Sequence, residues 1–245
     1  MRVWLLLLSL LFSQDVLAQA DYAREQRWAE EITPTILVGD PVQLALPSGR
    51  KFLGIHAPNP KAQAGVIVIH GQGVHPDWGL INPLRSQLSD QGYTTLSIQM
   101  PVLAADAPGS AYPQLFPEAA GRITAAVQYL RGQGLKKIAI VSHSLGARMS
   151  NSFLNTPGRP AIDAWVSIGI TSEYTRPETF GAPVLDLYGE KDFPGVLELV
   201  PKRAAAIRGL QGSAQISVAG ADHYFNGSEA ELVRTVKLFL DHRLR

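Results

Sequence analysis

The sequence contains no cysteine. Disulfides, thiol nucleophiles and cysteine-based metal sites are therefore excluded, and the folded state must rest on its core. Charge is sparse as well: Asp, Glu, Lys and Arg make up 18% of the 245 residues, and 22 basic against 21 acidic side chains leave a net charge of +1. No basic run or aromatic–basic stripe occurs, so nucleic acid is not an expected partner. There is no internal repeat, no low-complexity tract and no sign of a second domain. After the first twenty residues no apolar run reaches the roughly 17–25 residues that span a bilayer.

What is present is a core-forming composition with a leader. Hydrophobic residues are 46% of the chain, which suits a globular fold. "MRVWLLLLSLLFSQDVLAQA" places Arg2 before an apolar stretch from Val3 to Phe12, then small residues at Ala18 and Ala20. That order reads as a secretory signal peptide over residues 1–20, cleaved after Ala18 or Ala20. The competing reading, an uncleaved anchor, is disfavoured by the short apolar stretch, and a lipid-modified anchor is excluded by the missing cysteine. Residues 21–245 then form one domain, with no stable membrane span.

Within that domain the order of elements is regular. Residues 21–34 read as a short charged helix or linker. "VQLAL" and "KFLGIHAP", joined by "PSGR", read as a hairpin. Val66, Ile67, Val68 and Ile69 form a continuous β-branched run, the pattern of a strand buried on both faces. From there strands and helices alternate. "INPLRSQLSDQG" carries helix punctuation, with Asn82 as cap, Pro83 in the first turn and Gly92 at the end. Ile123, Ala126, Val127 and Leu130 mark one face of the next helix, residues 196–208 read as another, and Leu232, Val233, Val236, Phe239 and Leu240 give the last its apolar stripe. The alternation predicts an α/β fold: a mostly parallel sheet covered by helices on both faces.

The chemistry centres on "VSHSLGA", residues 141–147. A serine on a sharp strand-to-helix turn is lifted clear of the sheet, and the helix start aims backbone N–H groups at a developing oxyanion. The crossing demands small residues two positions to either side, here Ser142 and Gly146; the usual first residue is glycine, so Ser142 departs from the pattern. A serine hydroxyl needs a base and an orienting acid, which should follow in the order acid, then base. "YGEKD" places Asp192 at one strand end and "GADHYF" places His223 after the final strand. Among rival acids, Asp186 lies inside its strand, Glu190 two residues before Asp192, and Glu173 after the preceding strand; Asp222 reads as a solvated loop carboxylate. Among rival bases, His56, His143 and His242 read as structural, His70 as a brace of the loop it opens, and His75 as a group at the site entrance. The bland reading of "VSHSLGA" is a polar turn after a buried strand.

"HGQG", after the first buried strand, supplies the facing half. Two donors are needed for an oxyanion; these are the N–H groups of Leu145 and Gln72, with Gly71 and Gly73 permitting close approach. The loop has none of the lysine or glycine spacing of a phosphate cradle. "HGQG", "SHSLGA", "YGEKD" and "GADHYF" together resemble the α/β-hydrolase superfamily, over residues 65–245. The stretch from "HGQGVHPDWG" to "QMP" is similar to an uncharacterised group of bacterial exported α/β-hydrolase-like proteins, through the "HPDW" of residues 75–78. The resemblance implies hydrolysis of an ester, thioester or related acyl bond by Ser144, His223 and Asp192, with a small-molecule or envelope acyl substrate and a periplasmic location. His75 and Trp78 are the expected substrate-binding residues, with Tyr112 and Phe116 either pocket residues or loop anchors. No metal and no cofactor are expected. Residues 171–182 are too few for a lid domain. The alternative is a binding or scaffolding module of the envelope on the same fold, its site unused.

Overall fold

Val66 and Val68 pack into one apolar cluster and Ile67 and Ile69 into another, all four fully buried. The unbroken β-branched run is thus explained: this strand has helices on both faces, so neither set of alternate side chains meets water. Each such side chain contributes roughly 2 kcal/mol of burial. A computed structural model describes residues 19–244. The leader expected at residues 1–20 falls outside this range except for Gln19 and Ala20. Ala20 is itself buried in the core.

Eight strands form one sheet: β1 (Asp40–Ala45), β2 (Lys51–Ala57), β3 (Ala64–Ile69), β4 (Thr94–Ile98), β5 (Lys137–His143), β6 (Ala164–Ile168), β7 (Val184–Lys191) and β8 (Ala214–Asp222). Their order is β1-β2-β4-β3-β5-β6-β7-β8. β1 and β2 are the expected hairpin, and β2 runs antiparallel to β4. All remaining pairs are parallel. Parallel pairing brings the C-terminal ends of β3, β5, β6, β7 and β8 to one edge of the sheet, where open α/β sheets place their reactive groups.

Helices α3 (Phe116–Gly132) and α4 (Leu145–Leu154) contribute to one apolar cluster, α2 (Ile81–Asp90) and α7 (Glu229–Leu244) to the other. α1 (Tyr22–Ile32) is a full helix rather than a linker. Asp21 caps it by accepting from the Arg24 N–H, and Arg122 of α3 ties it down through Glu25. Two expectations need correction. Asn82 does not cap α2; it lies inside the helix, and its amide donates to the Asp77 carboxylate. The helix expected over residues 196–208 is two pieces, α5 (Pro194–Leu197) and α6 (Val200–Ile207). Pro201 has no N–H to carry a helical ladder across that junction but fits the first turn of α6. No inserted domain separates β6 from β7, and among the described residues no helix is long and apolar enough to cross a membrane.

Candidate active site

Ser144 occupies the turn between β5 and α4 with φ 54° and ψ −120°. A non-glycine residue there stores on the order of 1–3 kcal/mol of strain, so the surroundings must hold it. The Ser144 N–H donates to Ile168 O at 2.8 Å, and its carbonyl accepts the N–H groups of Ala147 and Arg148, the first turn of α4. Gly146 permits the crossing: a Cβ there would lie 2.3 Å from His70 O. Ser142 is accommodated because its position faces β6, where its hydroxyl accepts the indole N–H of buried Trp165 at 2.8 Å and donates to Val166 O.

His223 follows β8 and Asp192 follows β7. Nε2 of His223 is 3.0 Å from Ser144 Oγ, and Nδ1 is 2.5 Å from Asp192 Oδ1. Asp192 is buried, and its carboxylate also accepts the N–H groups of Phe193 and Gly189. An acceptor at Nδ1 fixes the proton there and leaves Nε2 with its lone pair toward the serine. Gly169, just after β6, makes room for this pair. Its φ is +56°, and a Cβ would stand 3.1 Å from His223 Nδ1 and 3.2 Å from Asp192 Oδ2. His143 lies with its ring centroid 4.7 Å from that of His223, and its Nε2 meets His223 O at 3.0 Å. Burial pushes His143 down to about 3, so it stays neutral and bonds the backbone of the His223 loop.

The loop after β3 is held from inside by His70. Its Nδ1 contacts Gly71 O at 2.8 Å, and its Nε2 accepts the Met100 N–H at 2.9 Å. Accepting that N–H requires an unprotonated Nε2, so the proton is on Nδ1 and donates to Gly71 O. Burial favours the same neutral form, pushing His70 down to about 3. Because C=O and N–H of a trans peptide point in opposite directions, anchoring Gly71 O turns the Gln72 N–H away from His70. Arg24 of α1 clamps the carbonyl two residues on, donating to Gly73 O at 3.0 Å and to Leu103 O at 2.8 Å. Leu145 is the first residue of α4, where an N–H has no partner within the helix.

A cavity of about 460 Å³ opens over Ser144, within the range of small-molecule sites. Gln72, Leu145, Trp78 and His223 line it, joined by Arg148, Phe193 and Tyr224, which the sequence reading missed. Adjacency held a signal for all three. Phe193 follows Asp192, Tyr224 follows His223, and Arg148 lies one helical turn beyond Ser144. Phe193 stacks on His223 with centroids 4.1 Å apart, and Tyr224 packs edge-on to Trp78 at 5.6 Å. His75 does not line the cavity, contrary to expectation; its ring turns to Trp28 of α1, 5.9 Å away. Tyr112 is a core residue whose hydroxyl accepts the Leu103 N–H, and Phe116 lies outside the cavity lining. Of the rival acids, Asp186 is fully buried against Arg203 and Glu173 pairs with exposed Lys202. Glu190 accepts the Gly220 N–H, and Asp222 accepts those of Tyr224 and Asn226. Among the described residues no group of three or more His, Asp or Glu could hold a metal ion.

The same arrangement of strands recurs in solved structures. A dienelactone hydrolase from Anabaena variabilis superposes with a TM-score of 0.68 at 18% identity, covering 84% of this chain and 97% of its own. The chain has the α/β-hydrolase fold. An esterase from Pyrococcus furiosus gives a TM-score of 0.65 at 15% identity, covering 84% of this chain and 91% of its own. A serine hydrolase without lid from Xanthomonas campestris gives 0.62 at 15% identity, covering 84% and 95%. By fold, the chain is thus similar to proteins described as hydrolases and esterases. A family profile described as "Protein of unknown function (DUF3530)" matches residues 5–122, ending within α3. No curated protein sequence matches the chain.

Proposed function

We propose that this protein is a serine hydrolase that cleaves an ester, thioester or related acyl bond through an acyl-enzyme. The observation that carries the reading is the hydrogen-bonded chain Ser144–His223–Asp192 at the floor of the cavity, with 3.0 Å and 2.5 Å links. His223 Nε2 takes the hydroxyl proton as Ser144 Oγ attacks the carbonyl carbon. Asp192 holds the imidazole tautomer and stabilises the cation that forms. The N–H groups of Leu145 and Gln72 receive the oxyanion, each such donor being worth roughly 2.7–4 kcal/mol in the transition state. His223 then protonates the leaving group. A water molecule that gives its proton to His223 hydrolyses the acyl-enzyme and restores Ser144. Phe193, stacked on His223, shields the imidazole from solvent on one face. The leader at residues 1–20 supports export to the periplasm, so the substrate is a small molecule or an envelope component bearing an acyl group.

Hydrolysis of short-chain p-nitrophenyl esters by the purified protein and by Ser144→Ala tests the proposal. The expected result is turnover by the wild type that the variant loses by at least a factor of about 10⁴. Equal rates in both proteins would remove Ser144 from the reaction. Absence of turnover on every acyl substrate would favour a binding module on a hydrolase fold.

A further inference from the structure

We infer that the cavity takes an acyl substrate that carries a carboxylate, bound by Arg148 beside the scissile bond; this rests on the hydrolase reading above. Arg148 lies in the first turn of α4, four residues after Ser144, the residue that precedes the helix. It is half-buried and lines the cavity. Its situation differs from that of the other enclosed arginines. Arg85, Arg122 and Arg203 are each paired with a carboxylate, and Arg24 and Arg159 donate to backbone carbonyls. Among the described residues Arg148 has neither kind of partner. Its guanidinium lies over the Phe116 ring, 5.7 Å from the centroid, a contact that takes up none of its N–H donors in a hydrogen bond.

The charges around it complete the case. None of the twelve residues lining the cavity is acidic. Asp192 sits behind His223 and is occupied by it. His143 is neutral, and the N-terminal end of α4 adds positive potential over the same space. A half-buried guanidinium with no carboxylate beside it can take a ligand carboxylate through two parallel charge-assisted hydrogen bonds. One guanidinium balances one negative charge; a phosphate dianion would bring a second with no further lining cation to meet it. Trp78, Phe193 and Tyr224 at the mouth suit an apolar remainder of the substrate.

Monoethyl glutarate and ethyl valerate share an acyl chain length and differ in the terminal carboxylate. Their hydrolysis, followed by proton release at constant pH, gives a ratio of kcat/KM values for the acidic over the neutral ester. The ratio is expected to exceed one in the wild type, to fall on the order of 10- to 100-fold in Arg148→Met, and to fall less in Arg148→Lys, which keeps the charge without the fork. A wild-type ratio below one, or a ratio that Arg148→Met leaves in place, overturns the inference. Turnover of ethyl valerate reports separately on the hydrolase reading. If neither ester is turned over, calorimetric titration with monoethyl glutarate decides. Binding to the wild type that weakens at least tenfold in Arg148→Met upholds the carboxylate site, and absence of binding rejects it. Circular dichroism of each variant checks that the fold is retained.

Discussion

Ser144 sits in a backbone conformation that serine avoids, and its neighbours explain how it is kept there. The Ile168 carbonyl, the first turn of α4 and the missing side chain of Gly146 all act on that one turn. In the proposed reaction Asp192 holds His223 in the useful tautomer, so Asp192→Asn should preserve the fold and lower kcat by about 10⁴-fold. Steady-state ester hydrolysis together with an unchanged thermal midpoint would confirm it, and a fall of under tenfold would assign the orienting role elsewhere. Gly169→Ala probes the space around the same pair. The added methyl meets the His223 ring and the Asp192 carboxylate, and the positive φ disfavours any side chain. A drop in kcat of about tenfold or more, with a stability loss of about 1 kcal/mol by urea titration, is expected. Ser144, Asp192 and His223 were legible because each stands at a strand end in a fixed chain order. Gly169 was not, since nothing local distinguishes it from a turn glycine. His75 was misplaced because its partner, Trp28, belongs to a helix distant in sequence.

At the scale of elements, α1 matters more than its charged sequence suggests. It joins the body through the buried pair of Glu25 and Arg122, and Arg24 fastens the loop that carries Gln72. Arg24→Met should release Gly73 O and loosen that loop. Small displacements of a positioned donor are expensive in rate, so kcat should fall on the order of tenfold while KM moves little. An effect on thermal stability alone, with kcat intact, would make Arg24 purely structural. The buried strands and the helices between them were legible from periodicity, because the β-branched run of β3 and the apolar stripes of α3 and α7 are local patterns. The strand order was not. β4 lies between β2 and β3, a pairing decided by contacts between residues far apart in sequence. The break between α5 and α6 was equally hidden, since Pro201 suits a helix start as well as a helix end.

Across the whole molecule, two deeply buried imidazoles tie stability to pH. His70 and His143 are pushed from an ordinary 6.5 to about 3 by burial. In the unfolded chain they take up protons below about 6.5, whereas in the fold they stay neutral down to about 3. Stability is therefore at its full value above pH 6.5 and declines as pH falls toward 3, each histidine contributing a slope of about 1.4 kcal/mol per pH unit within that window. Urea midpoints at pH 7 and pH 5.5 should show the decline, and His143→Gln should flatten it; a midpoint that does not move would contradict the burial of these rings as neutral groups. The site has no lid domain and Ser144 lines its open cavity, so its hydroxyl can be labelled directly. A fluorophosphonate probe is added to the purified protein, and the labelled peptide is identified by mass spectrometry. One adduct is expected, on the hydroxyl of Ser144, absent from Ser144→Ala and formed far more slowly in Asp192→Asn. An unlabelled wild type, or an adduct that persists in Ser144→Ala, would contradict it.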